Sequence, residues 1–123
     1  MEYVLLFHIA FLLNFVWEVW HSQLYTTCRT MPLADYIPLM TIQSLKDALW
    51  ITLAYAIVLW FSLPLWVFAL GLVIFSALVE LHALRTKRWE YAPEMPTLFG
   101  IGLTPFIELA LTGLLALALL HMY

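Results

Sequence analysis

Four carboxylates, Glu18, Asp47, Glu80 and Glu108, stand in stretches of sequence that are otherwise almost wholly apolar. Inside the hydrocarbon layer of a membrane an ionisable group costs about 2.5–3.5 kcal/mol on insertion scales, so residues of this kind face a bundle interior and mark functional sites. Asn14, Glu18, His21 and Tyr25 succeed one another at spacings of four, three and four residues, which puts them on one stripe of a helix. One carboxyl kept neutral by burial and another ionised beside Lys46 or Arg85 would make an acid–base pair, able to protonate a double bond and to remove a proton elsewhere. Aromatic faces would stabilise the cation in between, and the chain is 16% Phe, Trp and Tyr. The candidate catalytic residues are therefore Glu18, Asp47, Glu80 and Glu108, with Asn14, His21, Arg85, Trp89 and Tyr91 as candidate ligand-binding residues.

Metal chemistry is less well supplied. Glu18-Val-Trp-His21 is one ExxH ligand motif of the kind that di-iron four-helix bundles carry in pairs. The second is missing, because Glu80-Leu-His82 has the wrong spacing and no histidine follows Glu108. The sequence thus assigns no metal, and the nearest set of ligand types is Glu18, His21, Asp47 and Glu80. A single cysteine, Cys28, excludes a disulfide framework and a Cys/His zinc site.

Holding these groups requires long apolar elements. Of the 123 residues 65% are hydrophobic and 11% charged, against about a quarter charged in soluble domains, which excludes a water-soluble globule. A span needs about 20 apolar residues, and four such stretches fill the length: about 3–20, 44–63, 65–84 and 98–120. The expected architecture is one all-α domain over 1–123, an integral membrane bundle of four transmembrane helices. The first stretch lacks a basic n-region and a small-residue cleavage site, so it is expected to be retained. Pro38 and Pro32 place 21–43 in a loop, while Pro64 forces a short turn that makes the second and third helices a hairpin. Gly100, Gly102 and Pro105 suggest an irregular start to the fourth helix, with Glu108 at its centre, where it must be neutral, paired or facing water.

The five basic residues, Arg29, Lys46, Arg85, Lys87 and Arg88, lie in or beside the first and third connections. By the positive-inside rule, loops 21–43 and 85–97 are expected to be cytoplasmic and both termini outside, on the periplasmic side of a cell membrane. On that topology Glu18, Asp47 and Glu80 are all displaced by roughly 10 Å from mid-membrane towards the cytoplasm. Most tryptophans fall near helix ends, as headgroup anchors do. Five cations are too few for a nucleic-acid surface, so the expected partners are membrane lipids, a lipophilic small molecule, and a second copy or a membrane-complex partner.

Two segments are distinctive, Asn14-Phe-Val-Trp17-Glu18 followed by Leu24-Tyr25, and Trp89-Glu-Tyr91-Ala-Pro93-Glu-Met95-Pro96-Thr-Leu-Phe-Gly100-Ile-Gly102-Leu-Thr-Pro105, and the likeness they carry extends over most of the chain. They resemble the motifs of a group of small uncharacterised four-helix bacterial membrane proteins, which implies an integral membrane protein and no particular activity. Gln is common in that group where this chain has Glu108. The loop leading to Pro105-Phe-Ile-Glu108 is also similar to the lycopene cyclase domains of carotenoid synthesis, whose helix bears Pro-x-Glu-Glu. Here there is one acid, one residue further on, so the paired acids of that pattern are absent.

The functional expectation is a polar pocket near the cytoplasmic side that binds a lipophilic molecule such as an isoprenoid or lipid and converts it by acid–base isomerisation or cyclisation. The alternatives are a proton-coupled carrier acting as an oligomer and a non-catalytic subunit of a membrane complex. A hydrogen-bonded network of Asn14, Glu18, Asp47, Glu80 and Arg85 that only sets helix register would leave the pocket without chemistry.

Overall fold

The computed structural model describes residues 1–122. Its elements are α1 (Glu2–His21), a 3-10 turn (Ser22–Leu24), α2 (Thr26–Arg29), α3 (Leu33–Trp60), α4 (Leu65–Arg85), a two-stranded hairpin of β1 (Thr97–Leu98) and β2 (Ile101–Gly102), and α5 (Leu103–Leu120). Four of the helices, α1, α3, α4 and α5, are long and apolar enough to cross a membrane. Each turns small and polar residues inward along with a few large apolar ones: Leu6, Ala10, Asn14 and His21 on α1, Ser44, Ala48 and Ile51 on α3, Phe68, Leu72, Ser76 and Glu80 on α4, and Glu108, Thr112, Gly113 and Ala116 on α5. Leu12, Val16, Ile57 and Leu78 point outward. This inverts the arrangement of a soluble bundle and fits lipid as the surrounding solvent. The protein is an all-α, multi-pass integral membrane bundle.

The first and third of the long helices end close to where the sequence puts them. α3 does not: it begins at Leu33 rather than Ser44, so most of the expected 21–43 loop is helical. Pro38 lies early enough that it removes only one intrahelical bond, to the Ala34 carbonyl, near a helix end that Pro32 already caps. Tyr36 Oη bonds Ser22 Oγ at 2.7 Å and ties the extra turns to the end of α1. Thr41 and Ser44, loop-like in composition, bond back to the carbonyls of Ile37 and Met40 at 2.8 and 2.7 Å. With 28 residues α3 is about 42 Å long, well beyond the roughly 30 Å hydrocarbon thickness. Lys46 therefore lies half-way along a helix and not beside a connection.

α5 begins at Leu103 and not at 98, because residues 97–102 form the hairpin. Thr97 pairs with Gly102 and Leu98 with Ile101, which leaves Phe99 and Gly100 as a two-residue loop with φ of +53° and +77°. Two positive φ values are the mark of a type I′ turn. Pro105 then falls in the first turn of α5, where its missing N–H leaves no carbonyl unpaired. Glu108 is consequently in the second turn of the helix, near the same end of the bundle as the other acids, and not at the helix centre.

α1 packs against α3 and α5, and α4 against α5, whereas α3 and α4 meet less extensively although only a short turn joins them. At the α4–α5 contact a Cβ on Gly113 would lie 3.0 Å from Phe68 Cζ and 3.1 Å from Leu72 Cδ1, so the glycine permits the close approach. The first and third connections pair with one another. Thr26 N–H donates to Glu90 O (3.1 Å), Ala92 N–H to Leu24 O (2.8 Å), and Arg29 Nη2 to Glu94 Oε2 (2.9 Å). Together they cap one end of the bundle.

Candidate functional site

Under that cap lies a cavity of about 290 Å³ between α1, α3, α4 and α5. Glu18 and His21 reach it from the last turn of α1, Asp47 from the middle of α3, Ser76 and Glu80 from the last third of α4, and Glu108 from the second turn of α5. Because α1 and α4 end here while α5 begins here, residues 90 positions apart in the chain share one depth.

Two subsites differ in how their polar atoms are satisfied. In the first, Glu80 Oε1 accepts three hydrogen bonds, from Tyr25 Oη (2.8 Å), Tyr91 Oη (2.7 Å) and Trp89 Nε1 (3.1 Å). Tyr91 Oη in turn accepts from Gly102 N–H at 2.8 Å. Burial, reinforced by the Glu80 carboxylate, pushes the Tyr25 and Tyr91 phenols well above the ordinary tyrosine range, so both remain donors. Glu80 is thus a fixed anchor that holds the paired loops to α4.

The second subsite is unsatisfied. His21 Nδ1 lies 4.0 Å from Glu18 Oε2 and 4.0 Å from Glu108 Oε2, and the carboxyls of Asp47 and Glu108 both lie against that of Glu18. Both ring nitrogens of His21, Asp47 Oδ2, Glu108 Oε1 and Ser76 Oγ are buried and have no hydrogen-bond partner among the described residues. Three carboxyls crowded at one point out of water cannot all carry negative charge without a proton or a cation between them.

The sequence-based candidates divide accordingly. Glu18, His21, Asp47, Glu80, Glu108 and Trp89 line the cavity, and Tyr91 adjoins it through Glu80. Asn14 does not reach it: fully buried further along the bundle, it donates to Ala10 O (2.8 Å) and accepts from Thr112 Oγ1 (3.1 Å), a contact that sets α1 against α5. Arg85 is exposed at the end of α4 and lines nothing in the cavity, so the expected pairing of Arg85 with a carboxylate is not formed. Arg88, stacked 5.3 Å over the Trp89 ring, lines the cavity in its stead. Thr112 donates to the Glu108 backbone oxygen and Thr104 to Met95 Sδ, so neither reaches the Glu108 carboxyl.

Gln43, Trp50, Phe75 and Cys28 are cavity residues that sequence reasoning did not select. The stripe Gln43, Lys46–Asp47 and Trp50, at helical spacing, carries the signal, and it is legible only once α3 is known to run unbroken from Leu33. Comparison with protein-family models, with curated proteins and with solved structures yields no match to this chain.

Proposed function

We propose that the protein binds a lipophilic small molecule of isoprenoid or lipid type and converts it by proton transfer at the carboxyl cluster. One observation carries this reading: the acids share one cavity with a set of apolar and aromatic side chains. Met31, Leu39, Met40, Trp50, Phe75, Val79 and Leu109 line it together with Glu18, Asp47 and Glu108, around about 290 Å³, near the lower end of the roughly 300–1,000 Å³ typical of small-molecule sites. The space suits the reacting end of a lipid rather than all of it. Trp50 and Phe75, with ring centroids 4.7 Å apart, also line a second, apolar hollow of about 390 Å³ between α3 and α4. The sparse α3–α4 contact thus offers room for a tail next to room for a headgroup.

In the proposed step a protonated carboxyl of the Glu18–Asp47–Glu108 set gives its proton to one alkene carbon, and the neighbouring carbon becomes cationic beside Trp50 and Phe75. A second carboxylate of the set removes a proton from an adjacent carbon, which moves the double bond and leaves the protein's proton count unchanged. The cavity lies near the end of the bundle that carries Arg29, Lys87 and Arg88, which the positive-inside rule assigns to the cytoplasm.

Native mass spectrometry of protein purified in mild detergent tests binding, with farnesol added as a probe. Incubation in D2O tests chemistry, since the proposed step incorporates deuterium at carbon. The expected results are a retained isoprenoid-sized mass and deuterium incorporation that Glu18→Gln abolishes while helicity is unchanged. Retention of neither native ligand nor farnesol, or a Glu18→Gln, Glu80→Gln double variant with folding and activity intact, would refute the proposal.

A further inference from the structure

We infer that Glu18, His21, Asp47 and Glu108 form a binding site for one divalent transition-metal ion. The acids alone would not argue for this, because acidic clusters occur without metals. His21 does. It is 2% exposed, it points between two carboxylates, and neither ring nitrogen has a partner among the described residues. A neutral imidazole always has one lone pair and one N–H to satisfy, so a ring enclosed without either bond lacks something that it was shaped to hold. Asp47 Oδ2 and Glu108 Oε1 repeat the pattern from two other helices.

The distances suit an ion. One ligand atom each from Glu18, His21 and Glu108 lie within 4.8 Å of one another. Metal–oxygen and metal–nitrogen bonds of about 2.0–2.2 Å set adjacent ligands roughly 3 Å apart, so rotations that move each atom by less than about 1 Å would draw them onto one centre. Asp47 adjoins Glu18 but falls outside this mutually close trio, and its unpartnered Oδ2 would have to turn towards the ion to supply a further oxygen. Lys46 and Arg88 line the same cavity but form no ion pair with any of the three acids, so no cationic side chain already occupies their oxygens. An imidazole among carboxylates favours Mn(II), Fe(II) or Zn(II) over the all-oxygen preference of Mg(II) and Ca(II) and over the sulfur preference of Cu(I). Glu80 is outside the set because three donors hold its Oε1 elsewhere. The four ligands therefore differ by one residue from those of the sequence pattern, with Glu108 in the place of Glu80.

This inference does not rest on the cavity taking a lipophile: an ion on these carboxylates would stand in place of the proton that the proposed step uses, and its test uses ligand-free protein. Full-length chain with its affinity tag removed is stripped with chelator in detergent, reloaded with Zn(II), Mn(II) or Co(II), desalted and assayed for metal per chain. One ion per chain is expected, with a visible Co(II) spectrum of low symmetry. His21→Ala and Glu108→Gln should each weaken binding by at least about tenfold, since even outer-shell changes cost that much. His8→Ala and His82→Ala, at exposed histidines, should not. Glu108→Gln is close in shape and removes an oxygen that already lacks a partner, so helicity and elution volume are expected to be those of wild type. Wild-type protein that holds no more metal than His21→Ala, or a Glu108→Gln variant that is folded and binds metal as wild type does, would overturn the inference.

Discussion

At the scale of residues, Glu80 and Cys28 respond to the cavity in ways that can be measured. The bonds from Tyr25, Trp89 and Tyr91 all fall on one oxygen of Glu80, and a hydrogen bond to a charged group contributes about 1.5–3 kcal/mol. Tyr25→Phe and Tyr91→Phe should each lower the thermal midpoint in detergent, the double variant by less than the sum because the two share an acceptor. Since burial and Glu80 push the Tyr25 phenol far up, it stays protonated well above the ordinary value of about 10. Tyrosinate absorbance developed by pH of about 11 should therefore be the same in wild type and Tyr25→Phe. Burial, with Glu18 near, likewise raises the Cys28 thiol. A raised thiol pKa means less thiolate at any given pH, so alkylation of Cys28 should be slow at neutral pH and still accelerating past about pH 9.5, roughly one unit above the free-cysteine value of about 8.5, where a free cysteine levels off.

The elements are placed by a few tight contacts. A Cβ on Gly113 would lie 3.0 Å from Phe68 and 3.1 Å from Leu72, so that a neighbour must give by a few tenths of an ångström, and an aromatic ring packed in a helix interface yields little. Gly113→Ala should separate α4 from α5 at a cost of about 1–3 kcal/mol, read as a fall in midpoint by denaturation in mixed detergent. The hairpin carries the opposite expectation at Phe99, which is 95% exposed and held at φ of +53°. Phe99→Asn relieves a left-handed conformation that Asn tolerates better, and stability should rise by up to about 1 kcal/mol. At Gly102 a Cβ would meet Pro105 Cγ at 2.9 Å, so Gly102→Ala should displace the start of α5 and with it Glu108.

For the molecule as a whole, the bundle presents apolar side chains to its surroundings and buries Glu80 and Glu108, with Glu18 and Asp47 half-buried. The capped end holds Arg29, Arg85, Lys87 and Arg88, while the start of α1 and the end of α5 lie at the other. If the positive-inside rule governs insertion, cysteines introduced at Glu2 and Met122 in a Cys28→Ser background should react with membrane-impermeant maleimide in intact cells, and one at Lys87 only after lysis. Labelling of Lys87 alone would reverse the orientation without disturbing the fold or the site.

The helical class, the membrane setting, the number of spans and the four carboxyls that stand in apolar helices are legible in the sequence. They follow from local quantities: apolar run length, the cost of a charge in hydrocarbon, and the helical spacing of Glu18 and His21. What only the tertiary structure decided is where α3 and α5 begin and which acids meet. Pro38 reads as a breaker until Tyr36 is seen bonded to Ser22, and residues 97–102 read as helix until the Phe99–Gly100 turn folds them back. The later start of α5 brings Glu108 to the depth of Glu18, His21 and Asp47, while Arg85, at the end of α4, stays outside the cavity. Long-range pairing of this kind depends on how helices rotate about one another, and a one-dimensional pattern fixes each helix's polar stripe without fixing the stripe that it meets.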